Sequence, residues 1–367
     1  MATFESLGSW PGVLGRVSGG QSLDVASAAC VMREILDGRA SPSQIAALVV
    51  ALRMKGETDE EMRGFVAAMF DHAAPLSLRE GAVDLVGTGG DRLASINVTT
   101  LAAFIAAGAG LRVCKHGNRA ASSSVGTADV LEALGVAVDL GAAGVARCVE
   151  ECSMGFCFAP RYHPAMRHAG PVRRELGLPT VFNFLGPLAN PARVTRQLVG
   201  VSDPAMAPKM ARVLGANGSE HAMVVYADDG LDELSVVSPA TVLEVKRLER
   251  GTSHGPTTYE VRTWRVDPAA HGFAPASLED LRGGDAACNA SVIRHVLDGA
   301  PGACRDIGVL NAAAALVVGG VSEGLADGIA RATASLDAGA AAGVLDRLVA
   351  VSTAAAEEET ASLRSAR

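Results

Sequence analysis

Three things are scarce in this chain: an excess of positive charge, cysteine, and long apolar runs. With 32 Lys and Arg against 40 Asp and Glu, the formal net charge is −8. Binding through counterion release needs a basic surface, so a general nucleic-acid binder is disfavoured. Seven cysteines, odd in number and scattered over 367 residues, argue for reduced thiols and against a disulfide framework. Cys148, Cys152 and Cys157 come closest to a cluster, yet they lack a paired CxxC and read as small core residues. The Ala-rich runs near 101–110 and 312–320 are too short to span a bilayer, and no charged start followed by an apolar stretch marks a signal peptide. A cytoplasmic location is the expectation.

What the chain does have is enough apolar content, 49%, to bury a large core, and enough length for two domains. The first eighty residues read as three short amphipathic helices. One is capped by Ser22 and ends at Gly38, one opens at Ser41-Pro42, and one carries a Thr58/Glu61 capping box. From Val83 onward strand and helix alternate, which predicts an α/β fold with a mainly parallel sheet flanked by helices. Short strands are expected at 83–86 and 111–114, then at 197–202, 222–226, 241–247 and 258–265. A solvated hairpin loop is expected over 248–258, a helical C-terminal part from near Ser277, and a frayed or disordered tail from Thr353.

The run Gly87-Thr88-Gly89-Gly90-Asp91 leaves an apolar strand and leads to Asn97-Val98-Thr99-Thr100. Glycines let a backbone approach an anion, and hydroxyl residues at a helix start leave amides facing negative charge, so the ligand is read as a phosphate. With 41 glycines in the chain, plain loop punctuation is the competing reading. Asp91 beside a phosphate implies a cation or a ribose hydroxyl between the two negative charges. A second such unit, Lys115-His116-Gly117-Asn118-Arg119, leads through Ser122-Ser123-Ser124 into a helical pattern from Ala128. In an open α/β sheet these loops gather at the carboxyl ends of the strands, where ligands bind. Asp232-Glu233, taken alone, reads as a solvated loop, and Arg173 as a surface helix charge. His163 and His168 lie five apart, which is not the i, i+4 zinc spacing, and read as channel-lining or core histidines.

In order, GTGGD, INVTT, KHGNRAASS, TADVLEALG, FAPRYHPAMRH, PVRRELG, NFLGPLANP and GLDEL resemble the anthranilate phosphoribosyltransferase family over nearly the whole chain. That resemblance implies a small discontinuous helical, dimer-forming domain (1–79 and 163–192), an α/β domain (80–162 and 193–352) and a tail (353–367), with hinge crossings near 77–82, 160 and 192. It implies transfer of the 5-phosphoribosyl group from phosphoribosyl pyrophosphate to the amino group of anthranilate.

The donor contacts so implied are Gly87, Gly90, Asp91, Ser95, Asn97, Val98, Thr99, Thr100, Lys115, His116, Gly117, Asn118, Arg119, Ala120, Ala121, Ser122, Ser123 and Thr127. The anthranilate contacts are Gly87, Gly117, Asn118, His163 and Arg173, the last facing the carboxylate. Two Mg2+ per subunit are implied, one held by Asp232 and Glu233 and the other by the Thr99 hydroxyl. Asp91, Lys115 and Arg173 position substrates, and no residue serves as a nucleophile. A homodimer is expected, with room for a glutamine-amidotransferase partner in trans, since no such segment is present. Arg92 and Ser124-Val125 depart from common family wording. A pyrimidine nucleoside phosphorylase and a non-catalytic, nucleic-acid-binding relative are the alternatives. Arg173 with Asp232-Glu233 counts against the first, and the acidic balance against the second.

Overall fold

The structure, a computed structural model, describes residues 3–79, 81–90, 93–120, 125–251 and 257–365. The first elements are α1 (Ser9–Ser18), α2 (Val25–Leu36), α3 (Pro42–Lys55) and α4 (Asp59–Asp71). Sequence reading expects three helices here and misses α1, whose Pro11, Gly12 and Gly15 mask the apolar face made by Trp10, Val13 and Val17. Pro11 sits in the first turn, where its missing N–H costs nothing. Gly12 is required by contact, since a Cβ there would lie 2.2 Å from the Leu7 carbonyl oxygen.

Capping fixes the next three starts. Ser41 with Gln44, and Thr58 with Glu61, exchange the reciprocal bonds of a capping box as expected. At α2 the cap is Asp24 and not Ser22. The Asp24 carboxylate accepts the Ser27 amide at 2.7 Å, while the Ser22 hydroxyl accepts from Lys55 Nζ at 3.2 Å.

The remaining elements are β1 (Val83–Gly87), α5 (Val98–Gly108), β2 (Val113–Gly117), α6 (Thr127–Ala133), α7 (Ala142–Cys152), β3 (Met154–Phe158), α8 (Ala159–Tyr162), α9 (Gly170–Leu176), α10 (Val181–Leu185), β4 (Arg196–Gly200), α11 (Ala207–Ala216), β5 (His221–Ala227), β6 (Ala240–Glu249), β7 (Thr258–Val266), α12 (Ala286–Leu297), α13 (Ala303–Gly319), α14 (Leu325–Asp337) and α15 (Ala340–Ser365). One seven-stranded sheet runs in the order β3-β2-β1-β4-β5-β6-β7. The first five strands are parallel, and β6 and β7 are antiparallel. Strand order reverses between β1 and β4, so a crevice opens beyond their carboxyl ends.

Alternate residues of the central strands face two apolar layers. Leu85 and Leu198 pack with α5 and α13, whereas Val86, Val199 and Val224 pack with the N-terminal helices. Val172, Val181, Phe182 and Leu185, from α9 and α10, join that second layer.

Three expectations shift. The second strand begins two residues later than read and runs to Gly117, so Lys115 and His116 are strand residues and not loop residues. Strand β3 has no counterpart among the expected strands; its Cys157, with Cys148 and Cys152, is buried as read. Past residue 353 the chain stays helical to Ser365, with Ala355 buried and Glu358 and Glu359 each 3.0 Å from Arg147 and Arg161 respectively.

Of the expected hairpin loop, the ends belong to β6 and β7, and residues 252–256 lie outside the described residues. The C-terminal helical part opens with a short turn at Glu279–Leu281 before α12. Among the described residues, no single helix is long and apolar enough to cross a membrane.

Candidate active site

The crevice beyond β1 and β4 is walled by close backbone contacts. Gly89 and Gly90 take positive φ angles of 63° and 85°, a conformation glycine adopts without a Cβ penalty. The turn they make brings the Gly89 amide to Asp232 Oδ2 at 2.8 Å. Gly87 and Gly200 permit the same approach: a Cβ would lie 2.6 Å from Asp232 Oδ2 at the first and 1.6 Å from the Asp232 carbonyl oxygen at the second. Thr88 and Ser202 tie the ends of β1 and β4 together, the Ser202 amide donating to Thr88 Oγ1 at 3.0 Å.

Asp232 and Glu233 follow β5 in a buried turn, each 7% exposed, which corrects the solvated-loop reading of these residues alone. Asn311 of α13 holds that turn by accepting the Leu234 amide at 3.0 Å and donating to the Leu234 carbonyl at 2.8 Å. Asn311 carried no sequence signal, because it lies in an alanine-rich helix far along the chain.

Below the turn lies a buried cation. Lys115 is 1% exposed, and its ammonium donates to the Leu85 carbonyl and to Thr99 Oγ1, the latter at 2.9 Å. Burial lowers its pKa, while Asp84, Glu233 and Asp232 act in the opposite sense. Asp84, wholly buried in β1, is a second residue that sequence reading passed over. Its carboxyl is pushed up to about 6 by burial, which outweighs Lys115, Asn190 and the amides that favour ionisation.

The phosphate-loop residues divide by partner. Asn97 Oδ1 accepts from Asn289 Nδ2 at 2.9 Å, and the neighbouring Ser95 bridges to Arg282, so this loop leans on α12 and on the segment before it. Val98 and Thr99 stand at the start of α5, and the buried Thr100 hydroxyl has no hydrogen-bond partner among the described residues. Gly117 ends β2 against Phe156 and Thr127. Asn118 and Ala120 are exposed, and the Ala120 amide donates to Asp129 Oδ2 at 2.9 Å. Arg119 pairs with Glu132 at 2.5 Å and lies over the Phe158 ring at 4.8 Å. Asp91, Arg92, Ala121, Ser122, Ser123 and Ser124 lie outside the described residues.

On the helical side, Arg173 of α9 is half-buried, with its guanidinium carbon 5.8 Å from the centre of the Phe182 ring. Burial lowers its pKa, and among the described residues no carboxylate pairs with it. Such a group gains from a ligand carboxylate. Its neighbour Arg174 is exposed. The His163 and His116 rings lie 5.3 Å apart. His163 Nε2 lies 2.8 Å from the Ala189 carbonyl oxygen, and burial lowers the pKa of both rings, that of His116 to about 3. The His168 ring stands by Gly38, just past α2, where a Cβ would meet it at 2.8 Å.

The donor chemistry at the turn fits a hard cation. Two adjacent carboxylates and a hydroxyl supply oxygen ligands only, and among the described residues no group of three or more His, Cys, Asp or Glu side chains makes a full cage. A small set of protein oxygens, completed by substrate phosphate and water, is how Mg2+ is usually held.

Comparison with known proteins agrees with this architecture. A family model described as "Glycosyl transferase family, a/b domain" matches residues 79–342, and one described as "Glycosyl transferase family, helical bundle domain" matches 11–73. The chain is 52% identical to the anthranilate phosphoribosyltransferase of Thermomicrobium roseum over 95% of its own length and 99% of the relative. Identity to the enzyme of Salinispora arenicola is 50%, covering 94% and 96%. Among solved structures, the Thermus thermophilus enzyme superposes with a TM-score of 0.84 at 38% identity, covering 93% of this chain and 99% of that one. The Saccharomyces cerevisiae enzyme, solved with phosphoribosyl pyrophosphate and Mg, shares the fold at a TM-score of 0.83 and 24% identity, covering 96% and 99%. The chain belongs to the anthranilate phosphoribosyltransferase family.

Proposed function

We infer that this enzyme transfers the 5-phosphoribosyl group from phosphoribosyl pyrophosphate to the amino group of anthranilate, releasing pyrophosphate, in tryptophan biosynthesis. The observation that carries the reading is the bond between the Gly89 amide and Asp232, which makes the glycine loop and the acidic turn one wall of the crevice at β1 and β4. An anion-receiving backbone and hard carboxylate donors thus stand side by side, as a metal-bridged pyrophosphate requires.

Asp232 and Glu233 would hold one Mg2+, and Thr99 would give its hydroxyl to a second. Held by these residues, Mg2+ would supply positive charge for the pyrophosphate leaving group. The chain's own groups do the rest. The Gly87 to Gly90 loop and the start of α5 border the donor's anionic groups, together with Ser95, Asn97, Thr100 and Thr127, while the Thr88 and Gly89 amides are taken by Gly200 and Asp232. Lys115 adds positive charge from within the sheet, set beside Thr99. Gly117 and Asn118 border the acceptor, and Arg173 pairs with its carboxylate. The arylamine nitrogen is unprotonated near neutrality, so positioning and electrostatics suffice and no side chain attacks the sugar. The neutral His163 ring supplies a weakly polar wall beside the acceptor.

In this reading Asp91, His116, Arg119, Ala120, Ala121, Ser122 and Ser123 are the remaining donor-binding residues. The helical segments 1–79 and 163–192 make one domain and the subunit contact of a homodimer, and a glutamine amidotransferase is a candidate partner in trans.

The test follows anthranilate fluorescence with purified enzyme, phosphoribosyl pyrophosphate and Mg2+. Fluorescence is expected to fall in the complete mixture and to hold when EDTA is added or the donor omitted. Asp232→Asn with Glu233→Gln is expected to cut Mg2+-dependent turnover by about 100-fold or more, the scale of losing charge stabilisation at a leaving group. Arg173→Ala is expected to raise the anthranilate KM by about tenfold or more, the scale of a lost charge-assisted pair. Unchanged kinetics would remove the assigned roles.

A further inference from the structure

After α10 the chain returns to the sheet through residues 186–190, and this return is densely bonded. Asn190 Nδ2 donates to Asp84 Oδ2 and to the Cys114 carbonyl, both at 2.9 Å. Asp84 Oδ1 accepts the His116 amide at 3.1 Å, and His116 Nδ1 lies 3.3 Å from the Gly186 carbonyl oxygen. His163 Nε2 lies 2.8 Å from the Ala189 carbonyl oxygen, and Gln197 Nε2 donates to the Pro187 carbonyl at 2.9 Å.

All five side chains are buried, none above 5% exposed. Burying so many polar groups beside one short segment is costly unless their bonds are made, and of these five side chains only His116, at Nε2, has a buried polar atom without a hydrogen-bond partner among the described residues. Val86, two residues on and on the same face of β1 as Asp84, is a buried apolar residue, so an apolar side chain suits that layer. These bonds lie just before the position near 192 that reads from sequence as a hinge crossing.

We propose that Asp84 and Asn190 are positioning residues for the acceptor half of the reaction. Through residues 186–190 they fix α9 and α10, and with them Arg173, against the Gly117 end of β2. The proposal rests on the reading of Arg173 as the partner of the anthranilate carboxylate. The donor side is held by other bonds, Gly89 to Asp232, Thr88 to Ser202 and Asn97 to Asn289, and Asp84 bears on it only through its charge, which faces the buried Lys115. None of these touches residues 186–190. Loosening the return segment thus shifts Arg173 relative to Asn118 and leaves the phosphate loops in place.

The experiment measures kcat and both KM values for Asn190→Ala, Asp84→Asn and Gln197→Leu, beside Arg173→Ala, with thermal melts for each. Asn190→Ala is expected to raise the anthranilate KM about tenfold while the phosphoribosyl pyrophosphate KM stays within about twofold, and Asp84→Asn, which also removes a charge facing Lys115, to raise the anthranilate KM more than the phosphoribosyl pyrophosphate KM, because misplacement of a positioning group by a fraction of an ångström costs that order. Gln197→Leu, which removes only the Pro187 bond, is expected to shift the anthranilate KM in the same direction by about threefold, and it decides the matter if either of the others fails to fold. A lowered melting temperature with both KM values unchanged, or an equal rise in both, overturns the proposal by showing a structural role only. If Arg173→Ala raises the anthranilate KM and the return-segment variants do not, this inference alone falls. If Arg173→Ala leaves that KM unchanged, the acceptor assignment falls and takes this inference with it.

Discussion

His116 illustrates how burial chooses a protonation state at the level of one residue. Desolvation first, then the His163 ring and the Lys115 ammonium, lower its pKa from 6.5 to about 3. An unfolded histidine takes its proton near pH 6.5, whereas the folded one waits until about pH 3. Between those values the unfolded chain holds the extra proton, so this contribution to stability is full above pH 6.5 and is lost as the pH falls toward 3. His163 shifts in the same direction. Asp84 opposes them: with its carboxyl raised from 3.8 to about 6, the folded state holds the extra proton there and gains stability as pH falls through that window. Comparing the parent with His116→Gln isolates one contribution. Thermal melts at about pH 7.5 and about pH 5 should show the variant losing less stability on acidification, by up to about 1.4 kcal/mol per pH unit. Parallel losses in the two proteins would show that His116 is not held neutral.

At the scale of elements, the site depends on backbones that touch. The turn after β5 passes so close to β4 that a Cβ on Gly200 would lie 1.6 Å from the Asp232 carbonyl oxygen, a backbone atom that cannot swing aside. Gly200→Ala is expected to displace the acidic turn, cutting turnover and costing about 1–3 kcal/mol, the range for overpacking. Activity with a Mg2+ titration and a denaturant melt check it, and a fully active, equally stable variant would show that the contact relaxes freely. The motif wording here was legible, since glycine runs and an Asp-Glu pair stand out in a sequence. Their meeting was not, because residues 89 and 232 are joined only by the strand order. The same holds for Lys115. Its motif reads as a loop until parallel pairing with β1 and β3 extends the strand through it and turns its side chain inward.

Over the whole molecule, the C-terminal helix closes the α/β layer. Glu359 accepts the Gly141 amide at 3.0 Å and pairs with Arg161, while Glu358 reaches Arg147. Exposed pairs of this kind contribute about 0–1 kcal/mol each, so removing residues 353–367 should cost about 1–3 kcal/mol and lower the melting temperature by a few degrees. An unchanged melt would mean that the helix end adds nothing, and the sequence expectation of a loose tail would then describe its energetics. That expectation arose because a polar, alanine-rich, acidic segment has little apolar surface of its own. Its partners lie on α7 and near α8, some 200 residues earlier in the chain.

The alternation of strands and helices, two of the N-terminal caps, the glycine loop, the acidic pair and the family were all readable along the chain, because these are local patterns or long continuous motifs. Folding in three dimensions was needed to make Asp84, Asn190 and Asn311 matter, to place Lys115 in the interior and to bring His168 against Gly38. Each of those rests on contacts between segments far apart in the chain. A buried polar residue carries no local signal of the partner that makes its burial tolerable.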